Sequence, residues 1–222
     1  MSRRSWLAAV RLSSPLLRGA LAAAGGLCSW ALAGWVQRPL AALSGLVAVA
    51  LDAGSYAAAF MRTAPAALSE EALRWGLIGL FALFLRRALP DARRRGRALW
   101  GMAALAGWSF GAAENLSYFL AFPDAASFWR LLYAMPVHLN AAVLYALAWD
   151  RADTGEAAGP GWAAPALGLA WHLAFNAAAL ALPVRVAAPV GGAFNLIAFV
   201  ALAYAAERRL VIRGVFYGYD RA

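Results

Sequence analysis

The chain of 222 residues contains no lysine; all 20 of its basic residues are arginine. It has one cysteine, Cys28, set in an apolar run, which excludes an intrachain disulfide and a thiolate metal cluster. Charged residues are scarce at 14%, against roughly 25% in an ordinary soluble domain. Strand-like alternation never persists long enough for a barrel, and no internal repeat is discernible. No A-x-A-like cleavage site follows the first apolar stretch, which therefore reads as retained. What the chain has in excess is apolar surface: 64% of residues are hydrophobic and the mean hydropathy is +0.62. A single soluble core of this length would leave much of that surface facing water. A soluble globular enzyme, a disordered chain and a disulfide scaffold are thereby excluded. The expectation is an all-α polytopic membrane helix bundle, an integral protein of the cell membrane surrounded by lipid bilayer.

Seven segments approach the ~20 mostly apolar residues that a spanning helix requires. They cover 16–36, 39–61, 66–89, 98–122, 127–149, 162–183 and 186–206. The breaks carry turn or charge signals, among them Gln37-Arg38-Pro39, Arg62 to Pro65, Pro90 to Arg97, Pro123-Asp124 and Pro183 to Arg185. The remainder, Glu207 to Ala222, mixes Arg with Val, Phe and Tyr and reads as an interfacial tail. Three regions follow: 1–65, an N-terminal segment and first hairpin; 66–183, a four-helix core; and 184–222, the last span and the tail. The net charge of +9 comes from arginine clusters between apolar stretches, which orient a membrane protein and make no case for nucleic-acid binding. With seven spans, a cytoplasmic Arg86–Arg97 cluster gives N-out, C-in. Arg3, Arg4, Arg11 and Arg18 then face outward against the rule, a conflict that a miscounted first hairpin would remove.

An ionisable side chain in a span costs about 2.5–3.5 kcal/mol at the bilayer centre on insertion scales, so each one needs a reason. This chain has Asp52, Glu70, Glu71, Arg74, Glu114, His138 and His172, with Asn115, Asn140 and Asn176 as amide companions. At about 1.5 Å per residue, Glu114 lies roughly 12 Å from its helix end near Phe122. His138 and His172 lie roughly 16 Å from Ser127 and Pro183, and Glu70 roughly 8 Å from Pro65. Four helices thus bring acids and imidazoles to one layer. Glu70 and Arg74 are i, i+4, as are Phe110 and Glu114, and His172 and Asn176, so each pair projects from one face. An imidazole and an amide can stabilise a developing oxyanion while a carboxylate takes a proton from water.

Ser69-Glu70-Glu71-Ala72-Leu73-Arg74, Phe110 to Tyr118, His138, and His172-Leu173-Ala174-Phe175-Asn176 together resemble the PrsW family of intramembrane glutamic proteases. That family shares a superfamily with the CAAX-prenyl endopeptidases and bacteriocin-processing enzymes. The pattern in order is E-E-x-x-K, F-x-x-x-E-N, H and H-x-x-x-N, and the resemblance covers about residues 66–183. Arg74 stands where the pattern usually has Lys. The resemblance implies a metal-free and cofactor-free endopeptidase that hydrolyses a peptide bond in or near a membrane-spanning segment. Glu70 would be the base that activates water, assisted by Glu114, with His172 and Asn176 lining the oxyanion hole. Glu71 and Arg74 would hold the first carboxylate, with His138, Asn115 and Phe110 supporting. The implied partner is a membrane protein substrate, by analogy a single-pass protein of the anti-sigma kind.

Other readings stand beside this one. Ser69, Glu70 and Glu71 also suit a helix start, Arg74 an interfacial snorkeller, and His172 with Asn176 an interhelical hydrogen bond. His138 follows Pro136 and could satisfy carbonyls that a kink frees. Asp52, with Ser55 and Tyr56, favours a structural or gating contact. At the level of function, Glu114, His138 and His172 could bind zinc in a membrane hydrolase. A proton-coupled transporter or a non-catalytic scaffold is the remaining alternative.

Overall fold

The computed structural model describes residues 14–50, 56–155 and 161–217. Among the described residues there are six α-helices and no strand: α1 (Pro15–Ala50), α2 (Tyr56–Ala88), α3 (Ala92–Ala121), α4 (Ala125–Asp153), α5 (Ala163–Ala181) and α6 (Val184–Tyr217). Three of them contain stretches long and apolar enough to cross a membrane, at Pro15–Leu40, Ala163–Ala181 and Arg185–Arg209.

The helix ends follow local chemistry. Asp91 caps α3, its side chain accepting from the Arg94 backbone N–H at 2.6 Å. Phe122 and Leu182 each precede a proline and leave helical geometry (φ −137°, ψ 80° and φ −107°, ψ 142°), as the steric demand of the following ring requires. Gly155, at φ +70°, takes the left-handed conformation just past α4 that glycine adopts at least cost.

Two expected breaks are absent. Helix α1 runs through Pro39 and α2 through Pro65, so the first three expected segments are two long helices. Residues 51–55, between the two helices, lie outside the described residues, and with them Asp52 and Ser55. Proline alone does not end a helix when neighbouring groups re-satisfy the freed carbonyl; at Pro90 the break is reinforced by the Asp91 cap. Helix α6 likewise continues to Tyr217, where an interfacial tail from Glu207 was expected.

Helix α3 packs against both α4 and α1, and small residues set the separation at each contact. A Cβ at Gly107 of α3 would lie 2.6 Å from the His138 carbonyl oxygen of α4, and one at Gly26 of α1 would lie 2.3 Å from that of Ala106. The apolar core gathers Ile78, Leu85, Leu99, Ala103, Ala142 and Tyr145. Asn195 ties α6 to its neighbours: its amide donates to the Tyr133 carbonyl (3.0 Å), its side-chain oxygen accepts from Trp171 Nε1 (3.1 Å), and its backbone carbonyl accepts from Asn140 (2.9 Å). At the other end of the bundle Asp153 binds Arg86 and Arg95, each through Nε at 2.6 Å. Helix α5 is held by a narrow edge, its buried residues being Ala164, Gly168 and His172, one per turn.

Candidate active site

Glu70 and Glu71 lie in the middle of α2, about 100° apart around its axis, and are both buried. Their surroundings differ. Glu71 is enclosed by donors: Arg74 Nη1 one turn along, Tyr145 Oη of α4 at 2.5 Å and His172 Nδ1 of α5 at 2.8 Å. Glu70 accepts one hydrogen bond, from Gln37 Nε2 of α1 at 2.9 Å. Its second oxygen, Oε2, is buried without a hydrogen-bond partner and lies 3.8 Å from His172 Nε2. Arg74 therefore reaches Glu71 and not Glu70, and the clamp on the first carboxylate is Gln37.

Arg74 also extends Nη2 to His138 Nδ1 at 2.7 Å and stacks over Phe110, 4.6 Å from the ring centroid. A guanidinium only donates, so His138 Nδ1 accepts and its proton resides on Nε2. That nitrogen faces Glu114 Oε2 at 2.6 Å, and Glu114 Oε1 accepts from Arg130 at 3.2 Å. The same reasoning applies to His172. Its Nδ1 faces a carboxylate oxygen and donates, leaving Nε2 directed toward Glu70. The buried polar groups thus form one continuous chain from His172 through Glu71, Arg74 and His138 to Glu114, its charges paired as burial demands.

Two adjoining cavities of about 430 and 510 Å³ share Gln37, Glu70, Glu114 and Tyr118 in their walls. The first is also lined by His172, Asn176 and Arg130. Four of the anticipated residues, Glu70, Glu114, His172 and Asn176, therefore surround one hollow. Glu71, Arg74, His138 and Phe110 lie behind it. Asn115 turns away: it is fully buried and donates to the Gly111 carbonyl of its own helix at 2.7 Å.

Several of the competing readings lose their footing. Glu70 and Glu71 are mid-helix, and Ser69 returns its hydroxyl to the Ala66 carbonyl at 2.8 Å instead of capping. Arg74 is 2% exposed and doubly engaged, so it does not snorkel. His138 spends its ring nitrogens on Arg74 and Glu114, not on a carbonyl freed by Pro136.

For a metal, ligand atoms of Glu70, His138 and His172 lie within 4.8 Å of one another. His138 has no nitrogen to offer, however, because Nδ1 holds a guanidinium and Nε2–H faces Glu114. That leaves Glu70 Oε2 and His172 Nε2, fewer than the three protein ligands of a catalytic zinc site, with a cation already beside them. In the trio Glu114, His138 and His172 the same imidazole has both ring nitrogens turned to Arg74 and Glu114.

Sequence reasoning did not find Gln37, Arg130, Tyr145 or Asn195. Tyr145 stands two turns beyond His138 and Arg130 about two turns before it, a spacing that marks one face of α4. Gln37 is a lone amide in a turn-like Gln-Arg-Pro, and its partner is set only by tertiary packing. No protein-family model matches the chain, and neither a curated protein nor a solved structure matches it significantly.

Proposed function

We propose that the protein is an intramembrane endopeptidase of the PrsW kind that hydrolyses a peptide bond in or near the spanning segment of a membrane protein. The observation that carries this reading is the partnerless Glu70 Oε2, buried at the wall of a hollow and 3.8 Å from His172 Nε2. A buried carboxylate oxygen without a protein partner is costly and suits a group that binds and deprotonates water.

Glu70 takes a proton from water as the oxygen adds to the scissile carbonyl carbon. The developing oxyanion receives hydrogen bonds from the Asn176 amide and from His172, which donates through Nε2 once protonated there, with Glu71 on Nδ1 as its counter-ion. The C–N bond then breaks, and Glu70 returns its proton to the departing amine. Glu114, held by His138 and Arg130, supplies a second carboxylate to the same hollow.

The same proposal places all six helices across the bilayer, with the hollow in the outer half. An even number of crossings sets Arg18, the Arg86–Arg97 cluster, Arg151 and Arg208–Arg209 at one end, which the positive-inside rule assigns to the cytoplasm. The outward-facing N-terminal arginines of a seven-span arrangement then disappear.

The test is co-expression with candidate single-pass membrane proteins. Glu70→Gln and His172→Ala are expected to abolish cleavage at unchanged membrane abundance, and wild-type activity is expected to persist in chelator. Cleavage retained by Glu70→Gln would remove the proposed base; stoichiometric metal lost together with activity would favour the zinc hydrolase.

A further inference from the structure

A second concavity lies at the arginine-rich end of the bundle, away from the hollow. It is a groove of about 250 Å³ bounded by Leu21 of α1, Leu80, Phe84 and Ala88 of α2, and Met102 of α3, with Arg18 as its one charged wall residue. Helices α1 and α2 are antiparallel here. A Cβ at Gly25 would meet Leu77 and Phe81 at 3.1 Å, so Arg18, two turns earlier, falls beside the last turns of α2. That end of α2 carries Arg86 and Arg87, and α3 opens with Arg93, Arg94 and Arg95. Asp153 binds Arg86 and Arg95, whereas the exposed Arg87 and Arg93 have no carboxylate partner among the described residues.

An apolar slot with arginines at its mouth has the polarity of one ligand class. We propose that this groove binds an anionic phospholipid, one acyl chain lying against Leu21, Leu80 and Phe84 and the phosphate meeting Arg18 and Arg87. Guanidinium groups present several N–H donors suited to phosphate oxygens, and a zwitterionic lipid would bring its own cation to the same place. The inference rests on the membrane placement proposed above and is independent of the peptidase chemistry.

The test is native mass spectrometry of the full chain in detergent, titrated with phosphatidylglycerol or with phosphatidylcholine of identical chains. Phosphatidylglycerol is expected to bind about thirtyfold more tightly, since each arginine near an anionic surface contributes on the order of a factor of five to ten. Arg18→Gln combined with Arg87→Gln is expected to bring the two lipids within about threefold of each other. Leu80→Trp, which fills the slot from a lipid-facing position, is expected to weaken both lipids while keeping the preference. Equal binding of the two lipids by wild type, or a preference surviving the double variant, overturns the proposal. So does unchanged binding by Leu80→Trp, which would leave a surface headgroup contact without an acyl site. Unfolding temperatures matching wild type show that the variants fold. Retention of the chain in membranes after alkaline carbonate washing checks the placement separately: release would overturn the placement and this inference together.

Discussion

Glu71 accepts from three side chains on three helices, and its neighbour Glu70 accepts from one. Adjacent residues of the same type thereby differ: one is held by donors on every side, and the other keeps an oxygen without a hydrogen-bond partner at the wall of the hollow. Removing one donor from Glu71 should act on stability before chemistry. Tyr145→Phe leaves a buried lone pair unfilled and is expected to cost about 1–3 kcal/mol, read as a lower unfolding temperature in detergent, with reduced but measurable cleavage. Arg74→Lys should not substitute for the wild type, because a single ammonium cannot reproduce the fork that joins Glu71 to His138 while stacking on Phe110. Glu70, Glu71, Arg74, Glu114, His138 and His172 were legible in the sequence because charge inside an apolar stretch is conspicuous. Gln37 and Tyr145 were not, since an amide or a phenol in a span is ordinary until its partner is known.

Helix identity was similarly legible and helix termination only in part. Pro90, Pro123 and Pro183 lie between helices, whereas Pro39, Pro65, Pro136 and Pro189 lie within them. A proline's own residue type does not distinguish the two cases; the Asp91 cap and the extended residues before Pro123 and Pro183 do. The approach of α3 to α4 depends on an equally small feature. Gly107 brings α3 against the backbone of His138, and with it the residue that faces Glu114. Gly107→Val should force the two helices apart, costing about 1–3 kcal/mol by overpacking and lowering cleavage by misplacing Glu114, although neither helix loses a polar group. Unfolding measured together with single-turnover cleavage checks this: normal stability and activity would show that the approach is dispensable.

For the whole molecule, the proposed six crossings make a prediction that seven would reverse. Reporters fused to the two ends of the chain should both give cytoplasmic signals, and opposite signals would restore an odd number of spans. Depth arithmetic on isolated segments placed Glu70, Glu114, His138 and His172 in one layer, and the fold brings them together. It could not state which would face the hollow, because rotation about each helix axis is set by packing. Asn115 shows the difference: it is adjacent to Glu114 in the chain and points to its own backbone.

The thin edge by which α5 is held has a final consequence. His172 and Asn176 ride on a strut whose outward residues, Leu167 among them, face away from the protein. In the proposed bilayer, pressure from surrounding acyl chains is then part of what keeps the imidazole at its carboxylate. Short-chain detergents should abolish the proposed cleavage well before the other helices separate, and returning the protein to vesicles should restore it.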